Sequence, residues 1–357
     1  MRVDCVIVGQ GIAGSCIAFE LIRRGRKVLI FDDSHRGAAC LVAAGVINPI
    51  TGQRLVKSWR SDAAHPYAKD FYARAERALS RKFFHDRKIL QLCKSEGERE
   101  LWRARAGEAG YAPFIGGYNP PKTFPALNDS FGSYFIEHSA WVETSETISA
   151  FRDYFVSVGA LRIEEFCFQK LKASAARLEY GEISFEKIIF CDGARAVSNP
   201  YFSWLPYRPA KGEILRLRVC EELPEHIVHR GHWIMKCRDG SARIGSTWDR
   251  EHPDGTSTAG AREELLSALR PFFKRDVSAE VLEHSAGVRP CTATTRPHIG
   301  EHPADSRILS FNGFGSKGFA LSPYFAKNLA DYFDGIAAID PEADLKRHAK
   351  KFFPRSA

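Results

Sequence analysis

Residues 3–14 read VDCVIVGQGIAG, and the fold turns on them. Val3 to Val8 is a short, mostly apolar and β-branched run of the kind buried on both faces of a parallel sheet. Gly9, Gly11 and Gly14 follow at once in GxGxxG spacing. From Ser15 to Arg24 the apolar residues Cys16, Ile17, Phe19 and Leu21 recur at helical spacing. Gly25 stops that helix, and Arg23 and Arg24 stand where cations favour a helix C-terminus. A second strand, Lys27 to Phe31, ends at Asp32, 23 residues after Gly9. Strand, glycine turn, helix, strand and acid together make a complete βαβ unit. In such a unit the first glycine allows the tight turn, the second lets backbone approach a pyrophosphate, and the third lets helix and strand pack closely. The helix N-terminus faces the phosphates. Gly9, Gly11, Ile12, Ala13 and Gly14 are therefore expected to cradle a dinucleotide, with Asp32 accepting from ribose hydroxyls. Asp33 is the alternative for that last role.

Outward from this unit, the chain of 357 residues has room for two domains, and its 44% apolar content is ordinary for a globular protein. The net charge of +8 suits an anionic cofactor, a carboxylate substrate or nucleic acid without choosing among them. Nine cysteines, at 5, 16, 40, 93, 167, 191, 220, 237 and 291, are scattered, odd in number and without CxxC spacing. That pattern argues for reduced thiols over a disulfide framework. Cys5 to Ile22 does not read as a signal peptide, because no cluster of positive charge precedes it and Gln10, Glu20 and three glycines interrupt it. No uninterrupted apolar run reaches the roughly 18 residues of a membrane span. A cytoplasmic protein without a membrane partner is expected.

Farther along, residues 66–107 show helical spacing at Tyr67, Phe71, Ala75 and Leu79, and 111–135 read as loops and short strands. Residues 145–158 return to a helix that Gly159 ends. Leu161–Phe168, Lys170–Tyr180 and Glu182–Cys191 read as strands, and 211–219 and 232–247 alternate, with Asp239 and Gly240 turning a hairpin. Residues 260–274 are predicted helical and 280–300 extended; a strand from Arg307 to Phe311, a glycine-rich loop and a helix from Phe319 to Phe333 close the chain. Parallel-type strands at 3–8, 27–31, 186–191 and 307–311 thus alternate with antiparallel-type ones, which predicts two domains, each built from non-contiguous pieces.

A second GxGxxG, Gly313, Gly315 and Gly318 in GFGSKG, again lies between a strand and a helix. It is no second dinucleotide site, since no later strand ends in an acid. Its backbone N–H groups and helix N-terminus either face a flavin ring, stabilising negative charge on the reduced form, or make a plain tight turn.

The chain resembles the FAD-dependent D-amino-acid oxidase superfamily, and within it the glycine oxidases. GQGIAG with Asp32 carries the resemblance, with RGAACLVAAGVINP at 36–49, KIIFCDGA at 187–194, KGEIL at 211–215 and HWIMKCRDGSARIGSTW at 232–248. Most specific is AGVRPCTATTRPHIGEHPADSRILSFNGFGSKGFALSP at 286–323, whereas residues 60–130 match poorly. The resemblance implies an α/β protein with a Rossmann-type FAD-binding domain (1–75, 140–205 and 285–357). An interleaved, mainly antiparallel substrate-binding domain (76–139 and 206–284) goes with it. It implies non-covalent FAD, with Ala44 and Gly45 under the flavin, Gly193 against the cofactor, and Gly313, Gly315, Ser316, Lys317 and Gly318 in the flavin loop. It implies oxidation of a primary or secondary amine next to a carboxylate, by hydride transfer to flavin and hydrolysis of the imine. Arg289, in GxRP, matches the arginine that grips the substrate carboxylate; read from the residue alone, a surface or phosphate-pairing arginine stays open. Trp233 falls where the glycine oxidases have a tyrosine, so it either walls the pocket or is core. Lys317 is either a second anion contact or a solvent-facing lysine.

Two other readings stand beside this one. IGSTWDRE and the basic residues also resemble the flavin domain that modifies a tRNA wobble uridine, though the methyltransferase portion of that fused family is missing from this sequence. A non-catalytic FAD-binding redox protein is the other. His226, His229 and His232 lack a further ligand at metal-binding spacing, so no metal is expected. Cys291 is offset from the position at which some relatives tether flavin. Arg54, Lys57, Arg60, Arg74, Arg77, Arg81 and Arg87 form either a solvated helix face or a nucleic-acid surface.

Overall fold

The computed structural model describes residues 1–34, 37–52 and 54–353. Six strands form one sheet in the order Leu161–Arg162, Val28–Phe31, Cys5–Val8, Lys187–Phe190, Asp305–Asn312 and His298–His302. The first five run parallel, and His298–His302 joins the edge antiparallel. Cys5–Val8 and Val28–Phe31 are buried at every position, as strands covered on both faces must be. Helices Ile12–Arg23, Ser61–Leu79, Thr144–Ser157 and Gly318–Phe333 cover one face, where Phe19 meets Phe71, Phe151 and Tyr154 edge-on. A small antiparallel sheet of Leu171–Ala173, Leu178–Tyr180 and Ile183–Phe185 packs Leu178, Tyr180 and Phe185 on the other face.

Eight further strands form a second sheet, ordered Ala279–Arg289, Ala210–Val219, Ala242–Gly245, His232–Lys236, Ile227–Arg230, Ile89–Leu92, Ser133–Ile136 and Ile115–Asn119. All its pairs are antiparallel except Ile227–Arg230 with Ile89–Leu92. Side chains alternate along each strand, so Leu90, Leu215, Val228, Ile234 and Ile244 fill a core on one face, where helix Ala259–Ser267 contributes Leu265. On the other face Ile136 and Met235 pack with Trp102, Phe114 and Trp141, and the strands beyond them line a cavity. The two sheets draw on alternating stretches of chain, which makes this an α/β protein of interleaved parallel and antiparallel parts.

Several predicted elements differ. The helix expected over 66–107 ends at Leu79, where Ser80 turns left-handed at φ 51°. Phe84–Asp86 and Ile89–Leu92 are strands, and a new helix, Glu96–Ala106, starts at Ser95, whose side chain accepts from Glu98 N. Ile89–Leu92 is buried throughout, so sheet burial overrides the helical charge pattern around it. Leu161–Phe168 shortens to Leu161–Arg162, and Lys170–Tyr180 divides into the hairpin of the small sheet. Glu182–Cys191 divides into Ile183–Phe185 and Lys187–Phe190, which belong to different sheets. The extended stretch 280–300 breaks after Arg289, where Pro290 has no N–H to give a ladder.

Candidate active site

A cavity of about 1020 Å³ opens between the two sheets and takes its walls from both. Its floor begins at the first glycine turn. A Cβ on Gly9 would stand 2.6 Å from Cys191 O, and one on Gly14 would stand 1.8 Å from Gly9 O, so helix, turn and neighbouring strand touch at backbone distance. Gly9, Gly11, Ile12 and Ala13 line the cavity, while Gly14 packs behind them. Helix Ile12–Arg23 has no side-chain cap, so its first N–H groups are left for a ligand. Asp32 also lines the cavity; its carboxylate accepts from Gln10 N at 2.7 Å and Ser34 N at 2.9 Å and pairs with Arg152. Asp33 is off the wall and pairs with Arg195 at 2.7 Å. Gly193 lines the cavity beside Asp192, whose carboxylate accepts from Asn199 and Asn312 and is pushed up in pKa by burial.

The middle of the floor is the segment 37–46. Ala44 and Gly45 line it, and Gly45, at φ +74°, lies so close to the strand above that a Cβ would stand 1.9 Å from Val142 O. Trp141 Nε1, on the strand Ala140–Val142 of a separate three-stranded sheet, donates to Ala44 O at 3.1 Å, and Arg243 donates to Val42 O at 2.7 Å from the large sheet. Arg36, at the head of that motif, lies outside the described residues. Gly315, Ser316 and Gly318 bring the N-terminus of helix Gly318–Phe333 to the wall. Two residues of this loop stand apart from the lining set. Gly313 does not line the cavity, and a Cβ on it would stand 2.7 Å from Thr292. Lys317 is off the wall as well; burial and then Arg296 lower its pKa, and its charge acts on His65.

The roof is one face of the large sheet, where Ile89, Gly212, Ile214, Ile227, His229, Trp233, Gly287 and Arg289 share the parity that faces inward. Arg289 Nη1 donates to Lys211 O at 2.9 Å, and Nη2 donates to Ser246 Oγ at 2.8 Å and Thr247 O at 3.2 Å. Trp248 stacks on the guanidinium, 4.7 Å from its ring centre. Arg289 has no carboxylate partner among the described residues, and burial lowers its pKa, yet an arginine keeps its charge. It occupies the space over Gly212, where an added Cβ would stand 1.9 Å from Nη2. Trp233 does wall the cavity, and its ring fills the space over Gly245.

Motif reading missed Arg152, Gly212 and Ser246, and it weighed His229 only as a metal ligand. The three histidines separate: His229 Nδ1 bonds Gln91 Oε1 at 2.7 Å, His232 meets Glu264, and His226 packs on Phe135. No group of three metal-binding side chains occurs among the described residues. Cys291 is buried and off the wall. Much of the basic set at 54–87 is engaged: Lys57 pairs with Asp62, Arg60 with Asp340 and Glu342, Arg81 with Glu146 and Asp153, and Arg87 binds backbone carbonyls. No helix among the described residues is long and apolar enough to cross a membrane.

The geometry fits a bound dinucleotide: an uncapped helix N-terminus, a glycine turn in backbone contact with the next strand, and a carboxylate, all on one cavity wall. Comparison with known proteins agrees. The chain is 23% identical to the glycine oxidase of Pseudomonas putida over 360 residues, covering 96% of this chain and 97% of that one. Its fold superposes on the glycine oxidase of Geobacillus kaustophilus with TM-score 0.82 at 22% identity, covering 97% and 99% of the two chains. The iminodiacetate oxidase of Chelativorans gives TM-score 0.77 at 23% identity, covering 94% and 97%. Residues 4–332 match the family described as FAD-dependent oxidoreductase (DAO), and the chain belongs to that family.

Proposed function

We propose that this enzyme oxidises a primary or secondary amine next to a carboxylate. One observation carries the reading: a half-buried guanidinium with no carboxylate partner among the described residues faces the same cavity as the dinucleotide turn. Gly9, Gly11, Ile12, Ala13, Asp32, Gly193, Ala44, Gly45, Gly315, Ser316 and Gly318 would hold FAD, whose bound flavin supplies the hydride acceptor. Arg289 offers its free N–H donors to a carboxylate, and Ser246, Thr247 O and Lys211 O fix the plane of the fork before substrate arrives. Fixing the carboxylate also fixes the adjoining amine-bearing carbon, which is the part of catalysis that orientation provides. Trp233 bounds the pocket. No side-chain base is assigned, since an unprotonated amine can expel the hydride itself. Most of the roof falls in the substrate domain (76–139 and 206–284), while Gly287 and Arg289 fall in the last piece of the FAD-binding domain (285–357), and nine free cysteines suit a cytoplasmic enzyme.

The test is anaerobic reduction of the yellow holoenzyme by a panel of glycine, sarcosine, iminodiacetate, D-amino acids and bulk tRNA. Bleaching by a free amine carrying a carboxylate supports the proposal. Bleaching by tRNA alone would transfer the site to a nucleic-acid substrate, and no bleaching by any amine would leave a non-catalytic flavoprotein.

A further inference from the structure

His229 faces the cavity in a single tautomer. Gln91 Nε2 donates to Leu92 O at 3.3 Å and to Glu98 Oε1 at 3.2 Å, both of which can only accept. Its Oε1 is therefore the atom turned to His229 Nδ1 at 2.7 Å, and Nδ1 must carry the proton. Nε2 is left with its lone pair. It makes no hydrogen bond among the described residues and is not sealed in the core, so it opens to the cavity that His229 lines. Burial, and then the charge of Lys94, push the imidazole pKa down to about 4, so this acceptor stays neutral near pH 7.

Its place in the sheet fixes what it can reach. His229 pairs with Trp233, Trp233 with Gly245, and Gly245 with Ile214, two residues along from Gly212. The guanidinium of Arg289 fills the space over Gly212. Gly212 and His229 thus stand three strands apart, about 14 Å at ~4.8 Å per strand, and two residues apart along the strands, about 16 Å in all, with the Trp233 ring between them. An amine on the carbon next to a carboxylate held by Arg289 stays beside Arg289, short of His229.

We propose that the roof reads a second point on an extended substrate: a substituent that crosses Trp233 and ends in an O–H or N–H, which His229 Nε2 accepts. The preferred substrate is then longer than glycine or sarcosine and carries a distal hydrogen-bond donor. This rests on the carboxylate clamp proposed above, and the test separates the two. Holoenzyme is titrated with 6-hydroxyhexanoate, 6-fluorohexanoate and heptanoate, unreactive carboxylates of similar reach, and binding is read from the flavin absorbance. The hydroxy acid should bind about fivefold more tightly than the fluoro acid, the scale of one neutral hydrogen bond. In His229→Phe that preference should vanish while heptanoate binds as in wild type. Equal binding of all three acids, weakened alike by Arg289→Met, would overturn the second contact and keep the clamp. Binding of none, or binding indifferent to Arg289→Met, would overturn both. The hydroxy-to-fluoro ratio in wild type decides the matter even if the variant fails to hold FAD.

Discussion

At one end of the cavity Asp32 is already engaged, by Gln10 N, Ser34 N and Arg152. At the other end Arg289 is held only by neutral groups, two backbone carbonyls and one serine hydroxyl. The difference is one of charge left over. The floor balances its carboxylate within the protein and offers a ligand uncapped N–H groups and shape. The roof keeps a partly buried cation with no carboxylate partner among the described residues. A cofactor that stays bound suits the first arrangement, and a carboxylate that comes and goes suits the second, because an unpaired buried charge attracts the ion that completes it.

The comparison breaks most sharply at Gly212. Gly212→Val puts carbon where the guanidinium lies, 1.9 Å from Nη2, and so displaces the clamp without touching its charge. Loss of a buried charge contact costs about 2–5 kcal/mol, so flavin reduction by an amino acid should slow roughly 30- to 4,000-fold while FAD content holds. Reduction at the wild-type rate, measured by stopped flow, would mean the guanidinium is not used where it lies. At the other end, Asp32→Ala should weaken FAD by about 5- to 150-fold, the range of one charged hydrogen bond worth about 1–3 kcal/mol, and leave the reduction rate of the loaded enzyme near wild type. Fluorescence titration of apoprotein with FAD reads the first quantity. An unchanged dissociation constant would remove Asp32 from the cofactor site.

Acid should weaken the fold as a whole. Burial holds His229 and His65 at about 4 and His298 at about 2, against 6.5 for an exposed histidine. Between those values the unfolded chain binds more protons than the folded one. Stability should therefore be level above pH 6.5 and fall as pH drops from 6.5 toward 4, which melting midpoints at pH 8, 7, 6 and 5 can show. A midpoint that rises toward pH 5 would contradict the burial of these rings. The smallest effect is expected at Lys317, which faces neither end. Lys317→Met should change FAD affinity and flavin reduction by no more than about twofold, the range of substitutions outside a site.

The floor was legible because its parts lie close together in the chain. Gly9 to Asp32 is one local unit whose spacing states its geometry. Arg289 was legible only through the motif around it. Its setting was not, since Gly212, Ser246 and Arg289 meet through strand pairing across a long separation. Arg152 reaches Asp32 from helix Thr144–Ser157, which no local pattern connects to the first strand. The two alternatives for Lys317 could not be separated from spacing, because neighbouring residues at a helix start face different ways: Gly318 lines the cavity and Lys317 does not. The strands at 84–92 were hidden by Arg81, Lys82, Arg87 and Lys88, charges that imitate a helix surface around a short apolar run.

The most direct test of the charge contrast is one variant measured at both ends. Arg289→Met keeps the bulk and removes the charge. FAD affinity should stay within about twofold of wild type, while flavin reduction by the best amine carrying a carboxylate should fall by roughly 30- to 4,000-fold. Reduction by an uncharged amine of similar size should change far less. If Arg289→Met is reduced as fast as wild type by that substrate, or loses FAD and activity in the same proportion, the division of the cavity into a balanced floor and an unpaired roof is wrong.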